Sequence, residues 1–479
     1  MQQRSIIILF FLCLSWTVQA QAVSSAETSS VVVNDSVVSA QTKKANDPLT
    51  PRAIYRNTDS KDKNNRFTMD LNLMARGEIR DGGYPAAPEA EKPTDFGAGV
   101  VGRARLTLEY ERKWLLTRIS LQYAGAWGQE GINSFNLYEA FARLHSKHGL
   151  FMQFGRQVLN YDDERIIGAD DWTMTAHFHD ALILGYSGFG HQLHLIGAYN
   201  QNSNNLSTGT TFFTGGAQPY KTMQTLWYHY QLPSYPFGAS FLFMNIGMQA
   251  GEKGVDEHLE WQQLAGAYFK ISNHETHPIG WSLEGSYYHQ FGREEHGGKI
   301  DAFMASAKAT ISPMPIFGFQ LGYDYLSGDP YFAVPSKGQI GLIRHDVIRG
   351  FNPVYGSHHQ FYGAMDFFYL RTFVNGFTPG LQNAYAGVDV HPIRGMDLSL
   401  KYHYMATAVK LEDIEPTLGH EVEIDAAYQI IPEVKLSLGF SYMAGTKSME
   451  KLRRASGDGR MYWGWLSIVA TPRFLDIKW

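Results

Sequence analysis

Between Gly155 and Trp172 the chain reads GRQVLNYDDERIIGADDW. Asp162, Asp163, Glu164, Asp170 and Asp171 share this short run with Arg156, Arg165 and Trp172. Carboxylates this crowded can exchange protons as acid and base, cradle a hard cation, or line a polar passage. EF-hand spacing is absent, so calcium has no ready-made loop here. His177 and His179, and the pair His358 and His359, lack the helical H-E-x-x-H arrangement of a zinc site. They read as polar aromatics at a water interface. No G-x-S-x-G marks a serine nucleophile. The residues alone assign no catalytic group, no metal and no cofactor. What the cluster does depends on the elements that hold it.

The chain opens with MQQRSIIILFFLCLSWTVQAQA, a basic residue, an apolar core and small residues at Ala20 and Ala22. That pattern predicts a secretory signal peptide over 1–22. Cys13 is the only cysteine and lies inside it. Leu12 stands where a lipoprotein signal needs a small residue. The mature chain is then cysteine-free, which suits a Gram-negative envelope protein held by strand pairing. Past the signal, no apolar run reaches the roughly 20 residues of a membrane helix. A periplasmic soluble protein and a membrane barrel remain. The formal charge of −5 implies no nucleic-acid partner.

Residues 23–65 are polar and poor in aromatics, and read as a flexible periplasmic segment. Beyond them the texture changes. FTMDLNLMARGEI puts Phe67, Met69, Leu71, Leu73, Ala75 and Ile79 on one face and Thr68, Asp70, Asn72, Arg76 and Glu78 on the other. Period two is the mark of a strand with unlike faces. The pattern recurs in GRARLTLEYE, WSLEGSYYHQ, MDLSLKYHYM, HEVEIDAAYQ and VKLSLGFSYM. These runs span about 10 to 14 residues, against the five or six usual in globular strands. Aromatics recur near their ends, as in interfacial girdles. In lipid every backbone group must find a partner, so such a sheet must close.

Alternating runs number nineteen, which would leave the termini on opposite sides of the membrane. Tight links such as ERKW, SKHG, PSYPFG and HPIRG should alternate with long ones at 81–97, 159–176, 202–220 and 446–460. They do so only if His358–Leu370 belongs to one large loop, about 327–380. The expectation is an all-β transmembrane antiparallel barrel over 66–479 with about 18 strands, short periplasmic turns and long extracellular loops. A loop of that size is expected to fold inward or cap the mouth. The last strand is expected to end at Phe474, and Pro472 to sit near its end. By alternation Arg76, Arg103, Arg105, Arg118, Arg143, Arg156 and Lys401 face the lumen. Inward cations would favour carboxylated solutes. They would otherwise pair with Asp70, Glu78, Glu109, Glu139 and Asp425 and only brace the wall.

Three stretches together resemble the alginate-export family of outer-membrane barrels. They are the opening run followed by Asp180, then YDYLSGD with FNPVYGSHHQFYGAMDFF, then LGHEVEID. The resemblance implies a monomeric eighteen-stranded channel in the outer membrane that passes anionic polysaccharide or other small anionic solutes. It implies an arginine-lined constriction, and Arg156 and Arg165 lie in the matching segment. It also implies periplasmic export components as partners. Outer-membrane lipid, lipopolysaccharide and the barrel-assembly machinery, read from the aromatic C-terminus, complete the expected partners. Asp162, Asp163, Glu164, Asp170, Asp171 and Trp172 then become candidates for a loop gate. A receptor or adhesin built on the barrel would use the loop at 327–380 as its binding surface. An outer-membrane hydrolase would need a nucleophile that does not stand out.

Overall fold

A computed structural model describes residues 65–82, 96–128, 134–202, 211–273, 279–329, 347–367, 379–411, 414–453 and 460–479. The expected signal peptide and nearly all of 23–65 lie outside these residues, as do 330–346 and 368–378 of the large loop.

The alternating runs become β1 (Asn65–Asp81), β2 (Gly97–Arg112), β3 (Leu115–Ala126), β4 (Ser134–His145), β5 (Leu150–Gln157), β6 (His179–Gly188) and β7 (His191–Tyr199). The wall continues through β8 (Thr222–Gln231), β9 (Phe237–Ala250), β10 (His258–Ser272), β11 (Gly280–Arg293), β12 (Lys299–Met314) and β13 (Phe317–Leu326). β14 (Val347–Ile348) is only a parallel bridge to the outer end of β12. β15 (Leu381–Val390), β16 (Met396–Ala406), β17 (Thr417–Ile431) and β18 (Val434–Gly445) follow, with one helix, α1 (Lys447–Arg453), between β18 and β19 (Arg460–Ala470). β20 (Arg473–Lys478) ends the chain.

Each spanning strand pairs antiparallel with the next in sequence. β19 closes the ring on β1, from Leu73 opposite Ala470 to Asp81 opposite Tyr462. β19 and β20 are one strand interrupted at Pro472, so the closed barrel has eighteen strands. Proline has no N–H for the ladder. Pairing therefore breaks there, and the register slips between Met69 and Asp70. The strand does not stop near Phe474, as expected. It resumes and carries on to Lys478. Asn65 and Trp479 then exchange both backbone hydrogen bonds, each at 3.1 Å. Both described ends thus meet on the side of the short turns, as an even strand number requires.

The alternation maps to the two faces. Leu121, Leu182, Leu321, Leu400, Ile424 and Ile468 stand exposed on the outside, where lipid covers them. Their inward neighbours include Ser120, Lys401, Glu423 and Ser467, which are buried or half-buried. On the outer side of the barrel the lumen is not water-filled throughout. Inward Ile183, Ile196, Met223, Leu242, Met244 and Met304 form one apolar core with Leu159, Ile166, Ile167, Phe351, Tyr355 and Phe367. Those last six come from the loops after β5 and β13. The loops have folded into the barrel.

Candidate functional site

The opening run is the root of this fold-in. β5 ends at Gln157, and Gly155 just before the exit has a φ of 116° with its α-carbon tight against the Ala140 carbonyl. A side chain there would meet that oxygen at 2.2 Å, so only glycine fits. The chain then carries Leu159, Ile166 and Ile167 inward to bury them. Residues 347–367 come down beside it. Tyr355 N–H donates to the Ile166 carbonyl at 3.0 Å, Gly168 N–H to Tyr355 at 2.9 Å and Ser357 N–H to Glu164 at 2.9 Å. Ser357 Oγ donates to Glu164 Oε2 at 2.6 Å and accepts the Asp170 N–H at 2.7 Å. The two loops are one small unit, joined much as two strands are.

That unit is strained. Asp162, Glu164, Asp170, Ala176, Val354, Tyr362 and Asp366 all have positive φ, and Phe189 is the only such non-glycine elsewhere among the described residues. Such conformations cost on the order of 1–3 kcal/mol each and persist only where contacts over-determine them.

The contacts that hold the unit run to the wall on several sides. Arg165, fully enclosed, pairs through Nε with Asp163 at 2.8 Å and through a terminal nitrogen with Asp324 of β13 at 2.8 Å. Its guanidinium also lies 4.1 Å from the Phe361 ring centre. Burial works against the charge, but Asp324, Tyr362 and Asp163 outweigh it, and the pKa stands well above the ordinary arginine value. Trp227 Nε1 of β8 donates to Asp162 at 3.0 Å. Burial pushes the Asp162 carboxyl up to about 6, against hydrogen bonds from Ser240, Trp227 and Tyr288 that favour its charge. Burial likewise raises Asp163 and Asp170; Arg165 opposes it at the first, His177 and His359 at the second.

On the far side of the lumen Asp171 takes Arg103 at 3.0 Å and Arg105 at 2.9 Å. Trp172 lies between the Arg76 guanidinium, 4.2 Å from its ring, and the stacked His359 ring, also at 4.2 Å. Trp463 and Trp465 of β19 meet its edges. Ala364 N–H donates to Glu423 at 2.7 Å and Met365 N–H to Glu421 at 2.9 Å, both on β17. The unit thus reaches the wall at β1, β2, β8, β13, β17 and β19, and crosses the lumen.

The candidate cations fall into three groups. Arg76, Arg103, Arg105, Arg118 and Arg143 form a row on the inner face of β1–β4, descending from the loop unit toward the periplasmic turns. Arg76 pairs with Glu78 at 2.7 Å, and Arg118 with Glu109 at 2.5 Å and Glu139 at 3.5 Å. Lys401 also faces inward and pairs with Glu423 at 3.4 Å. Arg143 is different. Its Nε donates to Gln153 Oε1 at 2.5 Å, its guanidinium lies over Phe151, and no carboxylate pairs with it among the described residues. Arg156 departs from the expected inward orientation. It shares the outer face with Met152 and Phe154 and pairs with outward Asp180 at 2.8 Å. β5 carries apolar residues on both faces, Leu150, Met152 and Phe154 outward and Phe151 inward, so its own pattern does not fix the parity of Arg156.

Asp324, Glu421, Glu423, Ser357 and Tyr362 hold the loop unit, and reading residue by residue did not single them out. Alternation already set Glu421 and Glu423 inward. Nothing local could show that they receive a loop. Among the described residues no group of His, Cys, Asp or Glu is arranged to hold a metal.

The barrel is similar in shape to outer-membrane porins of known structure. Pseudomonas aeruginosa OccK9 (OpdG) matches with a TM-score of 0.57 at 11% identity, covering 85% of this chain and 98% of that one. Acinetobacter baumannii OccAB1 matches at 0.57 and 10%, covering 85% and 97%. Pseudomonas aeruginosa OprD matches at 0.55 and 11%, covering 85% and 96%. At such identity the likeness speaks for the fold. No curated protein matches the chain by sequence. The sequence model for alginate export matches residues 53–414. With most of its length matched and an eighteen-stranded porin wall, the chain belongs to the alginate export family and is a channel of the Gram-negative outer membrane, not an enzyme.

Proposed function

We propose that this channel passes small anionic solutes that carry carboxylates, saccharide acids among them, down their gradient. The observation that supports this is the arginine row on β1–β4. Its upper members hold the loop unit or are neutralised by wall carboxylates. Its lowest member, Arg143, is 8% exposed and lacks an anionic partner among the described residues. A guanidinium held by an amide and an aromatic face, with no carboxylate paired to it among the described residues, favours an anion beside it. The loop unit above sets the width, and the paired wall keeps the rest of the lumen near neutral. Selectivity then comes from a few positions rather than from bulk positive charge.

The test is single-channel recording from the purified barrel in a planar bilayer, under a salt gradient. Anion selectivity is expected, with block by uronate oligosaccharides and little by neutral ones of equal length. Arg143→Gln should move the reversal potential toward cations and weaken the uronate block. Cation selectivity in the native channel would overturn the reading.

A further inference from the structure

Halfway round the ring from the arginine row, the inner face of β10–β12 carries a second set of cations. The register sets Lys270 of β10, Glu284 of β11 and Lys308 of β12 side by side. The two ammonium groups lie 3.6 and 3.3 Å from the one carboxylate. We propose that these lysines, with the hydroxyl pairs Ser282–Thr310 and Ser286–Ser306, form a docking patch for hydroxylated carboxylates, sugar acids among them, in the periplasmic half of the lumen. The proposal rests on the anion-channel reading above and adds to it a second contact that reads hydroxyls as well as charge.

Three observations carry this. First, the charge does not cancel. Among the described residues, every ion pair of the two lysines ends on Glu284, and Tyr268 OH also donates to that carboxylate at 2.9 Å. One anion thus answers two cations. On the neighbouring strands Asp324 pairs with Arg165, and Asp389 accepts from Gln320 Nε2 at 3.2 Å. Second, the lysines are open to the lumen, with side chains 54% and 35% exposed, whereas Arg143 is buried. Lys270 stands two residues from the periplasmic end of β10. Third, hydroxyls flank the charges along the strands. Ser282 Oγ and Thr310 Oγ1 are 2.7 Å apart on the periplasmic side of Glu284 and Lys308, and Ser286 Oγ and Ser306 Oγ are 2.6 Å apart on the outer side. Successive inward positions are roughly 7 Å apart, about the breadth of a sugar ring. A hydroxyl pair spends one donor on itself and keeps the other donor and several lone pairs for a ligand. An ammonium takes the carboxylate, and the flanking pairs take the ring hydroxyls. A plain carboxylate gains only the first of these contacts.

The test is block of single channels, from each side in turn, by a uronate oligosaccharide and by an unhydroxylated polycarboxylate of equal charge. From the periplasmic side the native channel is expected to be blocked better by the uronate. K270Q with K308Q should slow uronate entry from that side by on the order of tenfold, and from the outer side far less, while the barrel keeps its heat-modifiable migration. K270R with K308R keeps the charge and should keep the native rate. Ser282→Ala with Thr310→Ala should bring the uronate down toward the polycarboxylate. If Arg143→Gln weakens the block but the double lysine change to glutamine leaves it untouched, the docking patch is overturned and the anion-channel reading stands. Equal block of the native channel by the two anions would overturn the reading of hydroxyls. A native channel that uronate does not block from either side would overturn both.

Discussion

Arg165 and Asp162 are neighbours in one loop, yet they hold it by opposite means. Arg165 is a buried charge whose partners are also buried. Replacing it with alanine leaves Asp324 and Asp163 without their cation, a loss on the order of 3–5 kcal/mol. Because the β-wall pairs independently, the loss falls on the loop unit. Arg165→Ala should therefore give noisier and larger single-channel currents and faster proteolysis in 158–178, with an intact barrel. Asp162 holds the loop best when neutral. Its carboxyl is raised to about 6 in the folded loop, from an ordinary 3.8. A raised pKa means the stabilisation is complete below the ordinary value and lost as pH rises through the folded one. The loop thus gives up at most about 3 kcal/mol between roughly pH 4 and 6. Open-state conductance should rise across that window in the native channel and rise less in Asp162→Asn, where Asp163 and Asp170 still carry raised carboxyls. A native channel with no such rise would remove Asp162 from the gate.

At the scale of the strand, position parity decides what a substitution does. Leu400 and Ser399 are adjacent near the middle of β16, one facing lipid and the other the lumen. An arginine at 400 should cost on the order of 2–4 kcal/mol, since it meets the hydrocarbon. An arginine at 399 should cost little, because its register partners are Asp389 and Asp425. Urea titration of the refolded barrels, followed by tryptophan fluorescence, separates the two. Much of the wall was legible for this same reason. Period two is local, and it placed both faces of β1, β2, β11, β16, β17 and β18 from sequence alone. It failed where the period is broken. β5 is short and apolar on both faces, which hides the outward face of Arg156, and Pro472 split the last strand without ending it. The loop unit was not legible in the same way. Its joints connect Arg165 with Asp324 and Ser357 with Glu164, and such pairs leave no repeat in the sequence.

For the molecule as a whole, the wall and the loop unit divide the labour. Eighteen strands pair only with sequence neighbours and with the closing strand, so the ring needs nothing inside it to stay shut. The loop unit is the converse, since its buried face exists only against the wall. Its left-handed residues at 162, 164, 170, 176, 354, 362 and 366 add cost that the wall contacts must offset. A part that is strained, inserted and dispensable for closure is the part expected to move. Replacing 347–367 by a short glycine–serine link should remove one half of the unit and leave the other half without its hydrogen-bonded partner. The barrel should still fold and resist denaturation by detergent at room temperature. Its conductance should rise several-fold, and uronate block should persist, because Arg143 belongs to β4 and is held by Gln153 and Phe151 of β5, which stay in the wall. Loss of block together with the loop would place the solute contacts in the loop unit. A barrel that failed to close would show that the unit helps build the wall it rests on.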